Sequence, residues 1–125
     1  MSKHILIIDD SPTIRISVEF AIKGLGFPTV QCENGADALE KYKALKDKGD
    51  DVALCMCDIN MPLMDGITFI KEFRKLDKFT PIVVLTTESE EDKIQEGKKA
   101  GASGWIVKPF QPADLVGVVE RFVKK

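Results

Sequence analysis

Short apolar runs alternate along the chain with stretches in which apolar residues return every third or fourth position. His4 to Asp9 (H-I-L-I-I-D) is apolar almost throughout, the pattern of a strand covered on both faces inside a parallel sheet. Ser11 and Pro12 then offer an N-cap and a proline at the first helical position. Ile14, Val18, Ala21, Ile22 and Leu25 form one helical stripe, which Gly26 ends. Thr29 to Cys32 predicts a short second strand. Asn34 caps a second helix with Ala38, Leu39, Tyr42 and Leu45 on its apolar side, and Gly49 lies beyond it. Val52 to Cys57 (V-A-L-C-M-C) predicts a third strand, with Asp58 at its end.

A loop containing Pro62, Asp65 and Gly66 leads into a third helix with Ile70 and Phe73 facing inward. Pro81 opens a fourth strand, Ile82 to Leu85, and Thr86 stands at its end. The fourth helix, Ser89 to Ala100, begins with Glu90, Glu91 and Asp92 and ends with Lys98 and Lys99, an order that suits the helix dipole. Its apolar stripe is thin: Ile94, Gly97 and Ala100, with Gly101 as the cap. Trp105 to Val107 predicts the fifth strand, after which Lys108-Pro109 turns the chain. The last helix buries Leu115, Val116, Val119, Phe122 and Val123. Five strand–helix units predict an α/β fold, a doubly wound sheet, because each crossover is long enough only for parallel pairing.

Composition narrows the class without changing the fold. A chain of 125 residues can bury a core unaided, and nothing in it resembles a linker, a repeat or a low-complexity tract, so one domain over 1–125 is expected, with no second domain. Its 18 basic and 20 acidic residues give a net charge of -2, which supplies no drive toward nucleic acid or an anionic membrane. No apolar run approaches membrane-spanning length, and the start, Met1-Ser2-Lys3-His4, lacks the character of a signal peptide. A cytoplasmic protein is expected. Cys32, Cys55 and Cys57 are odd in number and unsuited to a disulfide framework. Cys55 and Cys57 share a strand face and so admit metal ligation, but small apolar residues in a buried strand is the reading favoured here.

The polar residues gain meaning from the fold. In a doubly wound sheet ligands bind beyond the carboxyl ends of the strands. Asp9-Asp10, Asp58, Thr86 and Lys108 end strands one, three, four and five, so a parallel sheet brings them to one edge. Each has an ordinary reading alone: a helix cap for Asp9-Asp10 or Thr86, an Asx turn for Asp58, a solvated lysine for Lys108. Together they crowd carboxylates, and two carboxylates about 4 Å apart repel by roughly 4 kcal/mol at an effective dielectric near 20. One lysine does not balance three acids. A hard divalent cation does, and an all-oxygen site with few protein ligands suits Mg2+. A carboxylate is also a competent nucleophile toward phosphorus, and the metal, Lys108 and Thr86 could each meet one phosphoryl oxygen.

The same residues carry a resemblance. Asp9-Asp10-Ser11, Asp58-Ile59-Asn60-Met61-Pro62-Leu63-Met64-Asp65-Gly66, Thr86, and Ala100-Gly101-Ala102 through Lys108-Pro109-Phe110 make the whole chain similar to the CheY-like receiver domains of two-component response regulators. The resemblance implies a flavodoxin-like sheet of order 2-1-3-4-5 flanked by five helices. It implies that Asp58 takes a phosphoryl group from a phosphohistidine on a sensor histidine kinase. Asp10, Asp58 and the backbone carbonyl of Asn60 would be direct Mg2+ ligands, with Asp9 acting through water. Lys108 would hold a phosphoryl oxygen, and Pro109 would follow a cis peptide. Thr86 would donate its hydroxyl to the phosphoryl group and report its presence. Trp105 stands where the family places a switch aromatic; a half-buried strand aromatic is the equal alternative. Asn60 and Glu88 occupy the two positions that tune attack of water on the acyl phosphate.

Output is then expected through protein contacts of a monomer, on the face of helix four, strand five and helix five. Leu85-Thr86-Thr87-Glu88-Ser89 and Gly104 to Phe110 are similar to the chemotaxis subset, whose partner would be a flagellar motor switch protein. Glu90, Glu91 and Asp92 depart from the basic start of helix four in some members. A phosphorelay intermediate or phosphate sink, handing its group to a phosphotransfer protein, is the alternative. A haloacid dehalogenase-type hydrolase is the alternative of another class, but it would need an acid where Asn60 stands, and a cap insertion. The receiver reading implies no turnover of a separate substrate, only self-phosphorylation and autodephosphorylation.

Overall fold

The computed structural model describes residues 3–87 and 91–123. Five parallel strands form one sheet in the order β2-β1-β3-β4-β5. They are β1 (Lys3–Ile8), β2 (Thr29–Cys32), β3 (Asp51–Asp58), β4 (Ile82–Thr86) and β5 (Gly104–Val107). The helices are α1 (Pro12–Ile22), α2 (Gly35–Asp47), α3 (Gly66–Leu76), α4 (Glu91–Ala100) and α5 (Pro112–Phe122). The predicted order and fold therefore hold, with strand ends moved by a residue or so.

The continuous apolar runs read as strands because both faces of this sheet are covered. Leu6, Ile8, Cys55, Cys57, Ile82 and Val84 point to a core shared with Ala38 and Tyr42 of α2 and Phe69, Ile70 and Phe73 of α3. Ile5, Ile7, Leu54, Met56, Val83 and Leu85 point the other way, against Val18 and Ile22 of α1 and Leu115 and Val119 of α5. Phe69 is fully buried although only Ile70 and Phe73 were expected inside. Val116 and Phe122 of α5 are only half-buried.

Local signals set the ends. Ser11 caps α1 by accepting from the Ile14 amide at 3.3 Å, with Pro12 next in line. The stripe through Leu25 does not remain α-helical: α1 stops at Ile22, a 3-10 turn covers Lys23–Leu25, and Gly26 closes it at φ 83°. Asn34 caps α2 through the Asp37 amide at 2.9 Å. Asp65, expected only as a loop residue, caps α3 through the Thr68 amide at 2.8 Å.

Helix α4 is the loosely held element. Gly97 is its one buried residue among those described, while Ile94 and Ala100 are partly covered. The expected start at Ser89-Glu90 lies outside the described residues. The three cysteines are free and buried, and burial pushes the Cys55 and Cys57 thiols well up, so they behave as small apolar residues. Among the described residues no helix is long and apolar enough to cross a membrane.

Candidate functional site

Register builds the site. Ile8 pairs with Cys57, so Asp9 leaves β1 beside Asp58 at the end of β3. Asp58 pairs with Leu85, and Thr86 pairs with Val107 of β5, which places Lys108 one residue further along the same edge. The Lys108 amide donates to the Thr86 carbonyl at 2.6 Å and extends this pairing past the last strand residue. The sheet thus converges residues that lie up to 99 positions apart in sequence.

Ligand oxygens of Asp9, Asp10 and Asp58 all lie within 4.8 Å of one another. Asp9 and Asp58 are buried, whereas Asp10 faces solvent. The Lys108 ammonium reaches both buried acids, at 3.2 Å from Asp58 Oδ1 and 3.4 Å from Asp9 Oδ2. Asp9 is further fixed by the Ser11 amide, which donates to its Oδ1 at 2.9 Å. Arg15, which carries no role in the sequence reading, holds the Asp9 carbonyl at 2.6 Å while its Nε donates to Gln31 of β2. Gly66 lets α3 begin directly against the site: a Cβ there would sit 2.4 Å from the Asp58 carbonyl oxygen. Its amide donates to Ile59 at 2.8 Å.

Burial raises the Asp58 carboxyl above the usual carboxylate range; Lys108 pulls it back and neighbouring Asp9 adds to the rise. Burial lowers Lys108, but Asp58 and Asp9 outweigh it and hold the ammonium above its ordinary value. Three carboxylates against one ammonium leave surplus negative charge in a half-enclosed, all-oxygen setting. That donor set fits a hard divalent cation of the Mg2+ type and offers no soft ligand for zinc.

The remaining sites of the sequence reading fall as follows. Thr86 is fully buried at the site edge, its hydroxyl donating to the Thr87 carbonyl at 3.3 Å. Trp105 pairs with Val84, two residues before Thr86, so the threonine and the indole share one sheet face. The Trp105 ring is turned outward, 43% exposed, with the Lys98 ammonium 4.1 Å from its centroid. Asn60 is exposed; its backbone N–H donates to the Asp58 carboxylate and its side-chain Oδ1 accepts from Lys93 at 2.5 Å. The Lys108–Pro109 peptide is cis. Glu88 lies outside the described residues. Arg15, six positions from Asp9, and Lys93, 33 positions from Asn60, escaped sequence reasoning, since a long flexible cation carries no local signal of the acceptor it reaches.

Known proteins are similar to this chain along nearly its whole length. Residues 5–120 match the response regulator receiver domain family, and the chain belongs to it. The chemotaxis protein CheY of Thermotoga maritima is 38% identical over 125 residues, covering 99% of this chain and 100% of that protein. The transcriptional regulatory protein PrrA of Mycobacterium tuberculosis is 33% identical over 99% of this chain, which corresponds to only 51% of that longer regulator. A crystal structure of chemotaxis protein CheY4 from Vibrio cholerae superimposes with a TM-score of 0.87 at 37% identity, covering 98% of this chain and 100% of the other. The receiver domain of a CheY-like response regulator is thus the class to which fold and sequence assign the chain.

Proposed function

We propose that this receiver domain accepts a phosphoryl group on Asp58 from the phosphohistidine of a sensor histidine kinase, and that the modified domain changes its affinity for a protein partner. The observation that carries the reading is the Lys108 ammonium bridging Asp9 and Asp58 within a cluster of three carboxylates. An Asp58 oxygen forms the new bond to phosphorus, the phosphorus–nitrogen bond to the kinase histidine breaks, and imidazole leaves. Lys108 stands ready to meet one phosphoryl oxygen, and the Thr86 hydroxyl to turn toward another. Mg2+, held by Asp10, Asp58 and the Asn60 carbonyl with Asp9 behind them, would supply the positive charge that lets phosphate approach so acidic an edge. An apolar groove of about 560 Å³, lined by Ile14, Ala21, Pro109, Phe110 and Leu115, opens beside Lys108 and gives a kinase a wall to dock on.

The proposed output runs from Thr86 to Trp105 on the shared sheet face, and thence to the surface of α4, β5 and α5. Chemotaxis is the favoured setting, because the curated relatives of this size from Thermotoga maritima, Bacillus subtilis and Halobacterium salinarum are named chemotaxis proteins; the partner would be a flagellar motor switch protein. The domain would work as a cytoplasmic monomer that turns over no separate substrate. A pull-down with and without beryllofluoride, which mimics the acyl phosphate, tests the output. Recovery of a motor switch protein only with the mimic is expected. Recovery of a phosphotransfer protein alone would move the reading to a phosphorelay.

A further inference from the structure

Lys93, in the first turn of α4, spans 33 positions to donate to Asn60 Oδ1 at 2.5 Å. Asn60 is no remote acceptor: its backbone N–H donates to the Asp58 carboxylate, and the residue is exposed to water. Helix α4 contributes little else to the core, with Gly97 its one buried residue among those described. The lysine therefore ties a weakly anchored helix to the lip of the candidate phosphoryl site.

We propose that Lys93 is a positioning residue that lengthens the life of the phosphoryl group on Asp58 by engaging the side-chain oxygen of Asn60. The inference rests on the reading of Asp58 as acceptor. In hydrolysis a water oxygen bonds to phosphorus, the bond from phosphorus to the Asp58 oxygen breaks, and Asp58 leaves as carboxylate with the electron pair. The water protons pass to phosphate and solvent. A side-chain oxygen on the residue two positions after Asp58, able to accept from this water, would align it and make it more nucleophilic. An ammonium seated on that oxygen draws electron density from it and holds the amide toward α4. The helix thereby acts on the rate of loss directly, without passing through Thr86.

The test is the decay of the adduct. Wild type, Lys93→Ala, Lys93→Arg, Asn60→Ala and the Lys93→Ala/Asn60→Ala double variant are loaded with acetyl phosphate and Mg2+. The donor is then removed and the phosphorylated fraction followed by intact-mass spectrometry. Lys93→Ala should shorten the half-life about threefold, the scale of an exposed charged contact. Lys93→Arg should restore it, and Lys93→Ala should have no effect once Asn60 is alanine. An unchanged half-life in Lys93→Ala, or a change that persists in the Asn60→Ala background, overturns the proposal. Failure of wild type to take up the group overturns the acceptor reading itself, and this inference with it.

Discussion

Asp58 is a carboxylate held where a carboxylate is uncomfortable. Burial and neighbouring Asp9 raise its pKa against the pull of Lys108, so its charged form costs the fold stability. The sign follows: a folded pKa above the unfolded value means stability falls as pH rises from the unfolded carboxyl value, about 3.9, through the folded one. Asp58→Asn in metal-free protein should therefore raise the melting temperature by a few degrees near neutral pH, on the scale of about 1 kcal/mol. Calorimetry showing a loss would mean that the Lys108 ion pair outweighs the burial. Asp77 shows the opposite sign. Burial would raise its pKa, but donors outweigh it: Thr80 Oγ1 at 2.5 Å, the amides of Thr80 and Phe79 at 2.9 Å each, and the Tyr42 hydroxyl at 3.0 Å. Its pKa lies below the ordinary value, so its contribution is complete above about pH 4 and disappears as pH falls through the folded pKa. Asp77→Asn should cost about 1 kcal/mol near pH 7, with solvent screening part of the network, and progressively less in acid; urea melts at both pH values check this. Asp58 was legible in sequence because it ends a strand of buried residues. Asp77 was not, because its partner Tyr42 lies 35 positions away and a loop acid has many other fates.

At the level of elements, two glycines separate necessity from convenience. At Gly66 a side chain would meet the Asp58 carbonyl at 2.4 Å and the Ile59 Cα at 2.8 Å, and backbone cannot step aside. Gly66→Ala should displace the start of α3, destabilise by about 2 kcal/mol and impair the site with it, as thermal melts and Mg2+ titration would show. At Gly97 a methyl group would find Val84 Cγ2 at 3.9 Å and Ala102 Cβ at 4.0 Å, ordinary contact distances. Gly97→Ala should stabilise α4 by up to about 1 kcal/mol, read as slower amide exchange across 91–100. The strands were legible because two covered faces demand unbroken apolar runs. The thin stripe of α4 was equally legible and is mirrored in Gly97, its one buried residue among those described. The end of α1 was less so: apolar periodicity continues to Leu25, but the backbone tightens into a 3-10 turn to reach Gly26. What α4 holds on to, Asn60 through Lys93 and Trp105 through Lys98, depends on flexible side chains and emerges only from the folded surface.

For the whole molecule, parallel topology matters most, because it brings the ends of β1, β3, β4 and β5 to one edge. The acidic crowd there predicts linkage to a cation: Mg2+ at about tenfold above its dissociation constant should stabilise the fold by about 1.4 kcal/mol. Asp10→Asn and Asp58→Asn should each remove most of that gain, and equal stabilisation of all three proteins would place the cation elsewhere. The role of Asp58 itself is tested most directly by covalent chemistry. The protein is incubated with acetyl phosphate and Mg2+ and its intact mass is recorded before and after hydroxylamine. A single phosphoryl adduct, removed by hydroxylamine and missing from Asp58→Asn, is the predicted result. An unmodified wild type, or an adduct that survives in Asp58→Asn, would contradict the account.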